Sequence, residues 1–521
     1  MFDAIKIFKR IFQSKIVFDF RIAYEIIIWK FKLKNLKDIP NTFSDGQKTI
    51  LIATSIGENL NALALDLVLG IALRSRGHKV YFLLCNKALP ACMNCEYAKF
   101  KNIEEFQKVG AKKLCNKCVS KGRKILKSFD LQIIKIEKSI NYVSKLWDNE
   151  VAESGAKRFL AIGRVTDVNE YEKVFKKFFD ASQILNGQMN RIFDDYAINT
   201  VIAHHGIYVP QANIINAAKE HKIEVITWVQ GYRKQTFIFS KNDTYHKTLL
   251  KDNPKLSYLS ESNMKKINQY LASRDLGNYD WIRFGNTNKF ENSNIEIGKN
   301  KRKILLLTNV SWDAQLHYSS RIFSDMHEWI LETIKWFIKK PELDLVIRTH
   351  PAEKSGKIIS RDPIVPFIRK NFAFLPENII LVEPDARIST YYLMDQCDLG
   401  LIFATKAGIE LAALGIPIIV TGESWIREKG LSNDPKSRKD YFEMLENFNL
   451  EPNSLYRNKS AAIAFAYNFF YRRSIEINSV KPINRFPYIR PNIKNDWQIN
   501  DHGLLKLIKG IESGSDELFF N

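Results

Sequence analysis

Residues 49–84, TILIATSIGENLNALALDLVLGIALRSRGHKVYFLL, decide the fold. The first seven form a β-branched, apolar run ending ahead of Gly57, residues 60–74 carry Leu and Ala at helical spacing, and residues 79–84 form a second apolar run entered through Arg76-Gly77-His78. Strand, helix and strand in that order make a βαβ unit, whose two strands lie parallel in one sheet. Residues 131–136, 200–203 and 225–229 read as its further strands, with VITWV (225–229) closing the series. A second start of the same kind, KILLLT at 303–308, follows the Asn-rich stretch 286–301, which reads as a linker. Strands are expected beyond it at 343–348, 379–382, 399–403 and 416–420, with helices at 328–340, 390–396 and 407–414. The chain is therefore expected to be α/β, with two Rossmann-like domains in tandem. Open parallel sheets bind ligands beyond the carboxyl ends of their strands, so two facing sheets make a cleft.

Four segments follow: an arm over 1–45, a first domain over 46–290, a second over 300–455 and a tail over 456–521. Within the tail, SAAIAFAYNFFYRR (460–473) reads as an apolar helix able to cross back to the first domain. The net charge is +21 in 521 residues, so anionic partners are expected. Lys is spread along the whole chain, without a zinc-finger recognition helix, an RNP-type aromatic motif or a basic block, which argues against nucleic acid. The arm concentrates nine Lys/Arg against three Asp/Glu in residues 1–37, interleaved with aromatics. Charges interrupt its apolar run, so it reads neither as a membrane span nor as a secretory signal, but as a helix suited to an anionic lipid surface or to packing on its own domain.

Of six cysteines, four fall in two pairs, Cys92-x-x-Cys95 and Cys115-x-x-Cys118, with nineteen residues between the pairs. That is the spacing of a four-cysteine structural zinc site, which has no open position for catalysis; the expectation is a zinc-stapled insertion over 88–122. Sparse, paired cysteines suit a reducing compartment, so the expected location is cytoplasmic, peripheral on the inner membrane face if the arm docks there.

Two motifs stand at expected strand ends. Arg348-Thr349-His350-Pro351-Ala352-Glu353 follows LDLVIR, where a histidine faces the ligand crevice. Thr405-Lys406-Ala407-Gly408-Ile409-Glu410 follows LGLIF, where a hydroxyl, a glycine and a helix start suit phosphate oxygens and a Glu one turn inside suits a ribose diol. On the first-domain side, Glu58 follows the first strand and His204-His205 follows TVIA, each at a carboxyl end. Either type of side chain can take a hydroxyl proton, and His205 is the first candidate for the base, Glu58 the second.

RTHPAE followed by ATKAGIELAALGIPIIVTGE, with Trp425, Arg427 and Gly430 behind it, resembles the donor half of GT-B glycosyltransferases of bacterial capsule and surface-polysaccharide synthesis, including the Kdo-transferase-like group. The stretch His204 to Pro210, with Gly231-Tyr232-Arg233 and Thr244-Tyr245-His246, is similar to surface-carbohydrate proteins carrying the same cysteine pairs. It departs from the capsule enzymes at Ala404-Thr405-Lys406, where they commonly carry a serine pair. The resemblance implies a metal-independent transferase that moves a sugar from a nucleotide-sugar donor to a glycan or lipid-linked glycan acceptor. It implies that His350, Thr405 and the amides near Gly408 hold the donor phosphate, that Glu410 takes the ribose, and that Lys406 and Arg427 offset the leaving charge. Arg348 and Glu353 belong to the same donor motif, and His204, Tyr208, Tyr245 and His246 would meet the acceptor. A polyol-phosphate transferase with a CDP-linked donor, and an inactive zinc-stapled scaffold subunit, are the alternative readings.

Overall fold

The computed structural model describes residues 15–33, 47–138, 142–252, 259–275, 277, 279–281, 298, 302–314, 317, 322–456, 458–484 and 488–515. The expected linker, apart from residue 298, and the arm outside 15–33 lie outside the described residues.

The first sheet contains β1 (Thr49–Ser55), β2 (Lys79–Cys85), β3 (Gln132–Ile136), β4 (Thr200–His204), β5 (Glu224–Gln230) and β6 (Thr236–Lys241). The second contains β7 (Lys303–Leu307), β8 (Asp344–Arg348), β9 (Ile379–Val382), β10 (Leu399–Ile402) and β11 (Ile418–Val420). In space the first runs β3-β2-β1-β4-β5-β6 and the second β9-β8-β7-β10-β11. Every pairing among β1 to β5 and among β7 to β11 is parallel. Each sheet thus reverses its strand order once, between β1 and β4 and between β7 and β10, the positions where such sheets open a crevice. The expected series ended at β5; the structure adds β6, antiparallel to it, and then β12 (Ile475–Glu476), antiparallel to β6.

Helix α1 (Lys15–Leu33) lies on the first domain, and α2 (Leu60–Ser75) is the crossover from β1 to β2. The Asn59 side chain accepts from the Ala62 N–H at 3.3 Å and starts α2, which is buried over nearly its whole circumference, as an apolar helix under two layers must be. Its one acid, Asp66, accepts from Thr54 Oγ1 (2.8 Å) and Trp228 Nε1 (3.2 Å), fastening α2 to β1 and β5. Helix α3 (Lys112–Lys127) packs on β2 and carries the second cysteine pair.

Two segments depart from the simple succession of domains. Helices α4 (Tyr245–Lys251) and α5 (Glu261–Ser273) send Leu249, Ile267 and Tyr270 into the core of the second sheet, together with Leu305, Ile402 and Leu411 of α6 (Ala407–Leu414). Helix α7 (Lys459–Tyr467), expected to cross back, also stays on that core through Ala462, Phe465 and Ala466. The crossing comes after it: β12 joins β6, and Val480, Ile489, Leu504 and Leu507 pack in the core of the first sheet.

Candidate active site

Thr308 and Asn309, just past β7, tie together the loops that follow β8 and β10. Thr308 Oγ1 accepts from the His350 N–H (3.0 Å), and Asn309 Nδ2 donates to the Ala404 carbonyl (2.8 Å). The Ala352 N–H donates to His350 Nδ1 (3.1 Å), which puts the proton of the neutral ring on Nε2 and makes that nitrogen a donor. Burial, reinforced by Arg348 and Lys406, brings His350 down to about 4, so the ring is neutral at pH 7.

Four residues expected at a donor are instead taken up by the fold. The Arg348 guanidinium donates to the carbonyls of Glu383 and Ile388, holding the turn between β9 and the next helix. Glu353 accepts from the Ile364 N–H (3.3 Å) at the start of the following helix, and burial raises its carboxyl to about 7. Arg427 donates to the carbonyls of Val420 (2.7 Å), Gly422 (3.1 Å) and Pro435 (3.1 Å). Gly408 is a packing glycine: a Cβ there would stand 2.5 Å from Ile402 Cδ1, and its N–H donates to the Thr405 carbonyl (3.2 Å). His350, Thr405, Lys406 and Glu410 remain as the polar groups of this crevice.

Glu410 is 3% exposed and sits in an ionic network that sequence reasoning missed. Its Oε1 accepts from Arg274 Nε (2.7 Å), Lys406 Nζ (2.9 Å) and Tyr391 OH (3.2 Å), and its Oε2 from Lys406 Nζ (2.8 Å). Arg274 continues through Nη1 to Asp280 (2.5 Å) and Tyr270 OH (3.0 Å). Burial alone would raise the Glu410 carboxyl, but Lys406 and Arg274 outweigh it and hold the group below the ordinary glutamate range. Burial brings the Lys406 ammonium down to about 8, with Arg274 pushing the same way. Arg274 follows α5, more than 130 residues from Glu410, and nothing in the local sequence marks it.

On the first sheet, β4 ends in His204, and His205 follows it. His205 has φ of +66° and Gly206 of +84°, a left-handed turn that ends the strand. The His205 ring lies 5.5 Å from Tyr208 and 5.8 Å from both Tyr245 and His246, centroid to centroid. His246 stacks at 5.6 Å on His317, which stands in the loop after β7, so the histidine group bridges the two sheets. Tyr208 does the same, donating to Asp313 (3.1 Å). Burial lowers His204 and His317 to about 4 and drives His205 and His246 well below the usual range. His205 Nδ1 is buried with no hydrogen-bond partner among the described residues. His317 and Asp313, missed in the sequence, lie in a loop with no motif of its own.

Glu58 stands beside the cysteine turn. It accepts from Asn94 Nδ2 (3.2 Å) and faces Lys121 (3.7 Å) and Lys117 (3.9 Å) of α3. The turn itself is fastened to the crevice: the Met93 N–H donates to the Val209 carbonyl (2.7 Å), and Arg158, 5.3 Å from the Tyr208 ring, donates to the Met93 carbonyl (2.8 Å). Cys92 and Cys95 are hydrogen-bonded to each other, whereas Cys115 Sγ donates to the Ala111 carbonyl (3.0 Å). The Cys115 and Cys118 thiols, raised to about 12 chiefly by burial, also feel Cys92, so the two pairs are neighbours. Among the described residues, no group of three or more His, Cys, Asp or Glu side chains is arranged to hold a metal ion.

Two parallel α/β sheets, each reversing its strand order once and with histidines bridging the loops at their strand ends, define a two-domain α/β protein. Residues 211–470 match the capsule polysaccharide biosynthesis protein family. No curated protein matches the chain. Among solved structures, the chain is similar to the Thermosulfurimonas dismutans KpsC beta Kdo 2,4 transferase (14% identity, 54% of this chain and 82% of that one, TM-score 0.37). It is also similar to the UDP-GlcNAc 2-epimerase of Neisseria meningitidis (11% identity, 80% and 97%, TM-score 0.26) and to the glycosyltransferase SsfS6 of Streptomyces sp. SF2575 (12% identity, 81% and 96%, TM-score 0.24). Likenesses this weak carry no weight beside the strand order and the family match.

Proposed function

We propose that the protein is a glycosyltransferase that moves a sugar from a nucleotide-sugar donor to a growing bacterial surface glycan. The observation that carries this reading is the match of residues 211–470 to the capsule polysaccharide biosynthesis family; His350 and Lys406 stand at strand ends of the second sheet and the His204-His205 turn at a strand end of the first. His350 Nε2–H and the Lys406 ammonium address the donor phosphates, Thr405 adds a hydroxyl, and Glu410 offers Oε2, which has one protein partner among the described residues, to a ribose hydroxyl. The acceptor hydroxyl oxygen attacks the anomeric carbon as the carbon–oxygen bond to phosphate breaks. The nucleotide departs with that electron pair, stabilised by Lys406 and His350, while neutral His205 takes the hydroxyl proton. Tyr208, Tyr245 and His246 line the acceptor side. The test is release of free nucleotide from a panel of nucleotide sugars, coupled to extension of capsule oligosaccharide. No release with any donor would reject the reading.

We read the two cysteine pairs as a structural zinc site. The donor set has the right chemistry, four thiols in two neighbouring pairs, but the positions do not close on an ion as they stand, and Cys115 would have to leave the Ala111 carbonyl. Zinc held by Cys92, Cys95, Cys115 and Cys118 would brace the turn that carries Met93 and Asn94. Metal analysis of protein purified without chelator should find one zinc per chain. The location is read as the cytoplasm, against the inner face of the membrane where lipid-linked glycans are met.

A further inference from the structure

Helix α1 has two faces. Glu25, Trp29 and Leu33 are fully buried on the first domain, with both Glu25 carboxylate oxygens accepting from Arg490 at 2.8 Å. On the other face stand Phe20 (72% exposed), Tyr24 (54%), Ile27 (64%) and Phe31 (77%). At about 100° per residue, these four fall within roughly 60° of one another, while Trp29 lies about opposite Phe20. Lys30 and Lys32 are exposed on the flanks of this stripe. Exposed large apolar residues in such a row need an apolar neighbour, and isolated ones do not.

Resting on the membrane location read above, we infer that this stripe is the docking surface, and that its occupant is the headgroup–acyl boundary of an anionic lipid bilayer. A row of four bulky apolar side chains with lysines beside it matches a surface whose outer layer is anionic and whose next layer is hydrocarbon. The alternative occupant, a second copy of the chain, would bring together two bodies that each carry +21. No helix among the described residues is long and apolar enough to cross a membrane, so α1 lies along the surface. Its buried face fixes the angle: the body of the first domain sits on the side of α1 opposite the lipid.

The test is flotation of the full chain with vesicles of phosphatidylcholine alone and of equal parts phosphatidylcholine and phosphatidylglycerol. The parent should float with the second and be released by salt. The triple variant Phe20→Ser, Ile27→Ser, Phe31→Ser should lose at least about tenfold in partition constant, with an unchanged melting temperature because these side chains touch no core. A triple variant that floats like the parent overturns the stripe while leaving the membrane location standing. A parent that does not float with either vesicle overturns both. A parent that instead dimerises through this face, shown by light scattering that the triple variant reverses, overturns lipid as the occupant.

Discussion

Arg274 Nε stands 2.7 Å from Glu410 Oε1, and through this contact a segment that precedes the second domain in sequence becomes part of its crevice. Arg274 spends Nε on Glu410 and Tyr391 and Nη1 on Asp280 and Tyr270, so one planar side chain satisfies two acids and two phenols. Arg274→Ala should destabilise the protein by about 3–5 kcal/mol, since it strands buried carboxylates, and Arg274→Lys should recover only part, because an ammonium cannot reproduce the fork. Chemical denaturation measures both. A loss below about 1 kcal/mol for the alanine variant would show that the network is not under this strain.

The two sides of the crevice should fail differently. His350→Ala should weaken nucleotide binding by about 1.5–3 kcal/mol, the range for hydrogen bonds to charged groups. His205→Ala should bind nucleotide like the parent while losing roughly 100- to 10,000-fold in turnover, as the loss of a general base does. Calorimetric titration with nucleotides, beside turnover assays, separates the two. Parent-like turnover in His205→Ala would remove the base from that position.

The buried histidines set an acid limit. His204, His317 and His350 titrate near 4 in the folded protein against an ordinary 6.5, because burial disfavours their charged form. Between those values the unfolded chain binds more protons, so their contribution to stability is present above 6.5 and is lost as pH falls toward 4. Asp66 and Glu353, raised to about 7 by burial, act in the opposite sense over much of that window. The informative quantity is therefore a difference: His317→Gln should flatten the fall in stability between pH 6.5 and pH 4 by roughly 1 kcal/mol per pH unit relative to the parent. Parallel stability curves for parent and variant would contradict the assignment.

Gly57 is where β1 hands over to the crevice, and a Cβ there would stand 2.5 Å from the Cys118 carbonyl oxygen and 2.6 Å from Gly122 Cα. Gly57→Ala should push α3 away from Glu58 and cost about 1–3 kcal/mol, the usual penalty for overpacking against backbone. It should also lower the zinc content if the four cysteines hold the ion. Unaltered stability and metal content would mean that α3 moves without consequence.

The strand series could be read because parallel strands buried on both faces are continuous apolar runs, as TILIATS, KILLLT and LDLVIR show. The antiparallel β6 was not legible because it breaks the strand–helix alternation, following β5 directly with no helix between. Of the crevice, His350, Lys406 and the His204-His205 turn were legible because strand ends place them there. Arg348, Glu353 and Arg427 carried the same local signal but are used inside the fold, a distinction made by distant carbonyls and amides. Arg274 and His317 were invisible for the converse reason: their partners lie far away along the chain.

Helices α4 and α5 join the second sheet, Trp281 returns to the core of the first, and β12 comes back to it again after α7, so the chain passes between the lobes several times. A single tether would leave the lobes free to swivel. Several tethers leave less of that freedom and hold the lobes close to one relative arrangement. Ending the chain before Ile475 would remove one of these passages, and it would also strip β6 of its outer partner and leave an unpaired sheet edge open to other chains.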